Sequence, residues 1–329
     1  MNLRYRYYQF TFEAQDQLLL PHYKGSTFRG AFGNAFRRIV CTLRRKDCRT
    51  CILKTGCIYA YVFETAPHPD AAIMGTARYT SIPHPFVIEP PPETNRVYQP
   101  GDEISFGLIL IGKAVDYLPY FVYTFEEMGK TGIGKRRGRY SLRTVKSDDG
   151  GLVYSYEDRT IRPQTALEAT IPEEYAFNNS ARVSAKISFL TPARISYERD
   201  LVVNPDFQVI VRSLLRRLNL LYYFHGERRE ATWNHRAIIT AAGKIDMAEN
   251  HILWWDWERY STRQGVRMKM GGFVGEATYE GDMEPFLPLL QAGEIFHLGK
   301  GTSFGLGKYK IVDVRQSGAS EAESEERAG

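Results

Sequence analysis

Aromatic and polar residues alternate over 5–13, the period of a strand with one face in a core, and Phe28, Phe32, Phe36 and Ile39 recur at helical spacing within 25–40. The chain thus opens strand, then helix. After a cysteine-bearing segment the pattern predicts extended stretches over 59–64 and 81–89, then a break at Pro90, Pro91 and Pro92. A strand over 103–111, an apolar helix over 115–128 and a closing strand over 139–145 follow.

The second half repeats that order: a strand over 184–189, a long amphipathic helix over 206–224, and a Trp-rich strand over 252–260. Its hairpin partner spans 266–279, with a short helix over 283–291 and a last strand over 304–314 behind it. Each half approximates βαββαβ, so the expected fold class is α+β with tandem ferredoxin-like, RRM-like domains and an insertion after the first helix. The domains expected are 1–170, with the insertion at 41–57, and 181–315, with a Gly-rich loop at 299–307. An acidic tail at 316–329 lacks any apolar period and is read as disordered. The stretch 147–175 shows no clear element.

Composition narrows the class. With 43% hydrophobic and 25% charged residues the chain carries enough apolar material for two cores. No apolar run approaches the ~20 residues of a membrane helix, and the first residues run straight into a strand pattern. A soluble, untargeted, cytoplasmic protein is expected, with no membrane partner.

Charge is uneven. The net charge is +5, and the tail, with four Glu and one Arg, contributes −3, which leaves +8 on the body. Residues 29–54 hold eight Lys or Arg against the single acid Asp47, and residues 130–146 hold seven with no acid. Tracts this dense suit a polyanion, with a solvated surface as the plainer reading.

Two further signals carry chemistry. All four cysteines fall within 17 residues, as Cys41-x6-Cys48-x2-Cys51-x5-Cys57. Four thiolates at these spacings suit a closed tetrahedral shell around structural zinc; an iron-sulfur cluster and metal-free thiols stay open as alternatives. Gly299, Gly301, Gly305 and Gly307, with Lys300 and Lys308, form an array between the last helix and the last strand. It is not a P-loop, because Tyr309 and a strand follow Lys308. The run from Gly132 through Lys135, Arg136 and Arg137 to Gly138 is not a dinucleotide fingerprint either, since its helix precedes it. Both read as cradles for an anionic backbone, against turn glycines without function.

The segment 20–33 (LPHYKGSTFRGAFG), the cysteine cluster, 187–192 (ISFLTP), 271–275 (GGFVG) and the glycine array together resemble CRISPR-associated repeat-processing endoribonucleases of the RAMP superfamily. The likeness runs to about Val314. It implies a C-terminal Gly-rich loop that contacts RNA, metal-independent cutting of the repeat in CRISPR precursor RNA to give guide crRNAs, and effector subunits as possible partners.

Such cutting needs a base for the ribose 2′-OH, cations for the phosphorane and an acid for the departing oxygen. His22 is the first candidate base, placed before the first helix where anions are favoured, and His297 is the second; Tyr23 and Lys24 beside the first and Lys300 close to the second are the further catalytic candidates. Each has a plainer reading, His22 as a loop histidine and His297 as helix-end packing. His225, at a helix end before Gly226, reads as a cation on the dipole, and His68 and His84, flanked by prolines, as structural. The RNA-binding candidates are Arg29, Lys130, Lys135, Arg136, Arg137, Arg139, Arg263, Arg267, Lys300, Lys308 and the four array glycines. Trp255 and Trp257 share a strand face and are read as core, as are Tyr5, Tyr7 and Tyr8. Two alternatives to an enzyme remain: a non-catalytic RNA-binding RAMP subunit and, more weakly, a zinc-bearing DNA-binding protein.

Overall fold

The computed structural model describes the chain apart from residues 45, 46, 49, 66–81, 178–181, 262–265 and 317–329. His68, Arg263 and all of the acidic tail after Gln316 therefore lie outside the described residues.

The first domain is built on β1 (Asn2–Ala14), α1 (Gly25–Val40), β2 (Phe86–Glu89), β3 (Glu103–Ile111), α2 (Leu118–Thr131) and β4 (Tyr140–Ser147). Its antiparallel sheet runs β2-β3-β1-β4, so each half of the βαββαβ unit contributes one central strand and one outer strand. The alternation along β1 explains the layering. Tyr8, Phe10 and Phe12 point to one face, where they meet Phe28, Phe32 and Phe36 of α1 and Phe121 and Phe125 of α2. The opposite face, Leu3, Tyr5 and Tyr7, packs into the core of the second domain, and the Tyr5 ring stands edge-on to Phe296 at 5.6 Å. One sheet thus covers two cores.

The stretch 147–175 completes this sheet. β5 (Leu152–Ser155) forms a hairpin with β4, and β6 (Leu167–Thr170) pairs with the start of β1, Leu3 opposite Ala169.

The second domain contains β7 (Val183–Ala193), α3 (Phe207–His225), α4 (His235–Ala242) and β8 (Asp246–Trp255). A hairpin of β9 (Glu258–Ser261) and β10 (Val266–Lys269), then β11 (Gly272–Gly281), α5 (Leu287–Phe296) and β12 (Tyr309–Gln316) complete it. Its sheet order, β8-β11-β7-β12, repeats that of the first domain. The expected duplicated α+β fold is the observed one.

Several local expectations give way. Residues 59–64 were expected to be extended; Ala60–Glu64 is instead a wide helical turn, closed by the Thr65 amide on the Ala60 carbonyl. Its apolar residues suit either form, and the Tyr59 and Phe63 rings, four residues apart, stack at 5.4 Å. The Trp-rich strand breaks after Trp255, and its hairpin partner is split between β10 and β11. The last strand starts at Tyr309, because Thr302–Phe304 form a single helical turn between left-handed Gly301 and Gly305. The short helix α4 had no apolar period long enough to announce it; the Asn234 side chain caps it by accepting from the Ala237 amide.

Candidate nucleic-acid interface

The phenylalanine stripe of α1 is buried, so its other face is left outward. Thr27, Gly30, Asn34, Arg37, Arg38 and Cys41, again at helical spacing, line one wall of an open groove of about 1770 Å³. The opposite wall is the end of α2 and the turn after it. Gly132 and Gly134 adopt left-handed conformations there, Ile133 and Gly138 exchange backbone hydrogen bonds, and the Lys135 amide donates to the Leu19 carbonyl. The floor is the short pairing of Leu18–Leu19 with Val97–Tyr98, which brings in Arg96. Phe304 of the glycine array, Glu258 and Met268 reach the groove from the second domain. Small-molecule pockets run to roughly 1,000 Å³; this groove is larger and open, a shape for a chain-like ligand.

Its lining is cationic: Arg29, Arg37, Arg38, Arg44, Arg96, Lys135 and Arg137, against Glu258 as the one carboxylate among the described residues. The two basic tracts, about a hundred residues apart in sequence, thus face each other across one cleft, where like charge focuses the field on an anion. Among the described residues, the side chains of Arg38, Arg44, Arg96, Lys135 and Arg137 form no ion pair. Arg136 is exposed in the same turn.

Not every member of the tracts is available. Lys130 pairs with Glu127 at 2.5 Å, and Arg139 makes a two-pronged contact with Asp16, its Nε 2.7 Å from Oδ2. Both partners lie outside the acid-free sequence window. Arg29 is sandwiched between the rings of Phe63 and Phe304, at 4.8 and 5.1 Å, with one guanidinium nitrogen 3.0 Å from His84 Nε2. Burial, and secondarily the Arg29 charge, push the His84 pKa down to about 3, so this is a structural neutral histidine. Arg267 stands opposite Tyr260 in the β9-β10 hairpin.

The glycine array faces inward, a correction to its reading as a phosphate cradle. A Cβ on Gly307 would lie 1.8 Å from the Leu298 carbonyl oxygen, and one on Gly25 at the start of α1 would lie 1.9 Å from that of Phe304. Close backbone approach is what these glycines permit, one of the approaches joining the two domains. The amides of Lys300, Phe304, Gly305 and Gly307 donate to Arg194, Gly301, Thr302 and Pro192 carbonyls, and that of Lys308 donates to Thr191 Oγ1. Thr302, Ser303 and Leu306 are buried.

His297 is fully buried within this seam. Its Nε2 stands 2.8 Å from Glu89 Oε1 and its Nδ1 3.0 Å from the Leu306 carbonyl oxygen. Both ring nitrogens are engaged by these buried partners, so neither is turned toward a ligand. Lys308 donates to the other Glu89 oxygen at 2.6 Å. His297 and Lys308 therefore clamp Glu89 across the domain boundary instead of facing a ligand. Lys300 is exposed, its ammonium 2.9 Å from Ser196 Oγ.

At the other end of the seam, the Tyr23 hydroxyl donates to the Phe304 carbonyl at 2.8 Å, and burial holds the phenol well above its ordinary pKa. The Lys24 ammonium donates to the Glu93 carbonyl at 2.7 Å, with burial lowering its pKa. Both are turned inward. His22 is exposed, directly before the α1 N-terminus, its ring 5.5 Å from that of Trp255. Trp257 packs on Tyr23 at 4.6 Å, so the two tryptophans belong to the small core of the seam. His225 is not a helix-end cation: burial pushes its pKa down to about 4, and its Nε2 donates to the Pro83 carbonyl.

Of the five catalytic candidates, His22 and Lys300 remain open to a ligand. Arg96 was missed, since a lone arginine after a proline run carries no signal of the groove it joins. Glu89 was missed too, lying 208 residues from His297.

The four cysteines, unpaired with one another, line one small cavity together with Asp47, Lys54, Tyr59 and Ala60. Among the described residues no three His, Cys, Asp or Glu side chains already stand together at metal-binding geometry.

Residues 187–309 match the family described as CRISPR-associated endoribonuclease Cas6, and residues 3–166 match a family described as an N-terminal domain. An uncharacterized protein of Archaeoglobus fulgidus is 25% identical over 312 residues, 90% of this chain and 93% of that one. The Thermus thermophilus Cas6 product complex superposes with a TM-score of 0.55 at 17% identity, over 93% of this chain and 98% of that one. A partial Cas6-RT-Cas1–Cas2 complex gives 0.54 at 13% identity, over 96% of this chain and 47% of that one. The C-terminal domain thus matches the Cas6 endoribonuclease family over residues 187–309, on a tandem fold that nearly the whole chain shares with solved Cas6 structures.

Proposed function

We propose that the chain cleaves the repeat of CRISPR precursor RNA without a metal ion, holding the strand in the groove between α1 and the turn after α2, and so yields guide crRNAs. The observation that carries this reading is the facing of the two basic tracts across one open groove, with Glu258 the single acid in its lining among the described residues. The position of His22 supports the chemistry. It lies exposed directly before the first turn of α1, whose Ser26 and Thr27 line the groove, and where the helix dipole favours an anion. In this mechanism His22 takes the proton of the ribose 2′-OH, O2′ bonds to phosphorus, and the P–O5′ bond breaks to leave a 2′,3′-cyclic phosphate; the departing 5′-oxygen takes a proton from solvent water, and the His22 imidazolium returns its proton to solvent. The arginines and lysines hold the flanking phosphates as negative charge builds on the phosphorane. RNA supplies its own nucleophile; DNA would bind and stay intact.

His22→Ala should slow single-turnover cleavage of the cognate repeat by ~100-fold or more at nearly unchanged RNA affinity. An unchanged rate would remove His22 from the mechanism. The inward placement of Tyr23, Lys24 and His297 favours one second reading, a RAMP subunit that holds guide RNA without cutting it. Tight binding with no cleavage by the unmodified chain would select it.

A further inference from the structure

The insertion after α1 lends Arg44 to the groove, and it also draws together every cysteine of the chain. Cys41 ends α1, while Cys48, Cys51 and Cys57 come from the turns that follow, and all four line a cavity of about 20 Å³. The Cys51 amide donates to the Cys48 carbonyl and the Lys54 amide to that of Cys51, so the x2 spacing is closed as a tight turn. Cys48 and Cys57 pack against the aromatic core of the first domain, which fixes two corners of the cavity. That volume has room for a single ion.

We propose that these four thiols bind a single zinc ion, which draws the sulfurs into a closed tetrahedral shell and thereby sets the basic wall of the groove. Zinc with four thiolates leaves no open position, so the site is structural. A divalent cation held by four thiols displaces their protons on binding. The site adjoins the groove directly: Cys41 lines both cavities, and Arg37, Arg38 and Arg44 flank it on the groove side. Metal loss frees the segment that carries Arg44 and slackens the end of α1, while the phenylalanine core stays in place. This coupling to RNA rests on the reading above; the metal site does not.

The full-length chain, purified from zinc-supplemented culture, should contain about one zinc per chain by elemental analysis, with its four cysteines unreactive to a thiol reagent until a mercurial displaces the metal. Reconstitution with Co²⁺ should give the intense visible bands of tetrahedral tetrathiolate cobalt. Cys51→Ser should lose the zinc. Should that variant fail to fold, the thiol and cobalt measurements on the unmodified chain still decide. Four freely reacting thiols with no bound metal would overturn the proposal, as would iron with a cluster absorption. The zinc-free chain should bind repeat RNA about 10-fold more weakly, with a shallower salt dependence. If RNA is not bound even with zinc in place, the functional reading fails and the zinc site stands; if zinc is bound and its loss leaves affinity unchanged, the coupling fails.

Discussion

Glu89→Ala should lower the unfolding free energy by about 3–5 kcal/mol, the cost of removing one partner from a buried ion pair. The carboxylate is 7% exposed and accepts from His297 Nε2 at 2.8 Å and from Lys308 Nζ at 2.6 Å, so its removal strands two donors in the seam between the domains. Tryptophan fluorescence during denaturant unfolding would report it, because Trp255 and Trp257 pack on Tyr23 in the same seam. A change under 1 kcal/mol would mean that the clamp contributes little. The pH dependence follows in sign. Burial alone would raise the Glu89 pKa, but the hydrogen bond and charge of His297, with the Lys308 charge, outweigh it and bring it from 4.5 to about 2. A depressed folded-state pKa gives stability that is full above about 4.5 and is lost as pH falls toward 2. Glu89→Gln should lack that component, showing a flatter stability profile through this window.

The second large effect concerns the groove. The combined variant Arg38→Ala, Arg96→Ala, Lys135→Ala, Arg137→Ala should reduce the slope of log affinity against log salt by roughly 3, at about 0.7 per phosphate contact on single-stranded RNA. At physiological salt that amounts to a loss of affinity of about 100-fold or more. All four side chains are exposed, and among the described residues none is ion-paired, so the fold should survive their removal. Filter-binding titrations from low to high salt would measure it. An unchanged slope would place the RNA elsewhere on the molecule.

The strands and long helices were legible because each has one apolar face: the alternation along β1 and the phenylalanine spacing of α1 leave little choice of element. The duplicated topology followed from their order. What sequence could not supply was pairing between distant groups. The 130–146 tract looked free of acid, yet Asp16 and Glu127 neutralise Arg139 and Lys130 from neighbouring elements. The array from Gly299 to Gly307 looked like a ligand cradle because glycine serves two purposes alike; only tertiary contacts tell backbone packed on backbone from backbone offered to a phosphate. His297 misled for the same reason, since a histidine beside a glycine loop reads as catalytic until Glu89 is seen to hold its ring. His22 stays a candidate on its exposure and its turn before α1, beside the groove-lining Pro21 and Ser26.

The most direct test is to incubate the purified chain with its cognate repeat RNA in excess EDTA, beside the same RNA carrying one 2′-deoxy substitution at the cut site. The account predicts a single cut in the first, ending in a 2′,3′-cyclic phosphate, and none in the second, with both RNAs bound equally well. Cleavage of the 2′-deoxy RNA, or cleavage that stops when EDTA removes divalent ions, would contradict it.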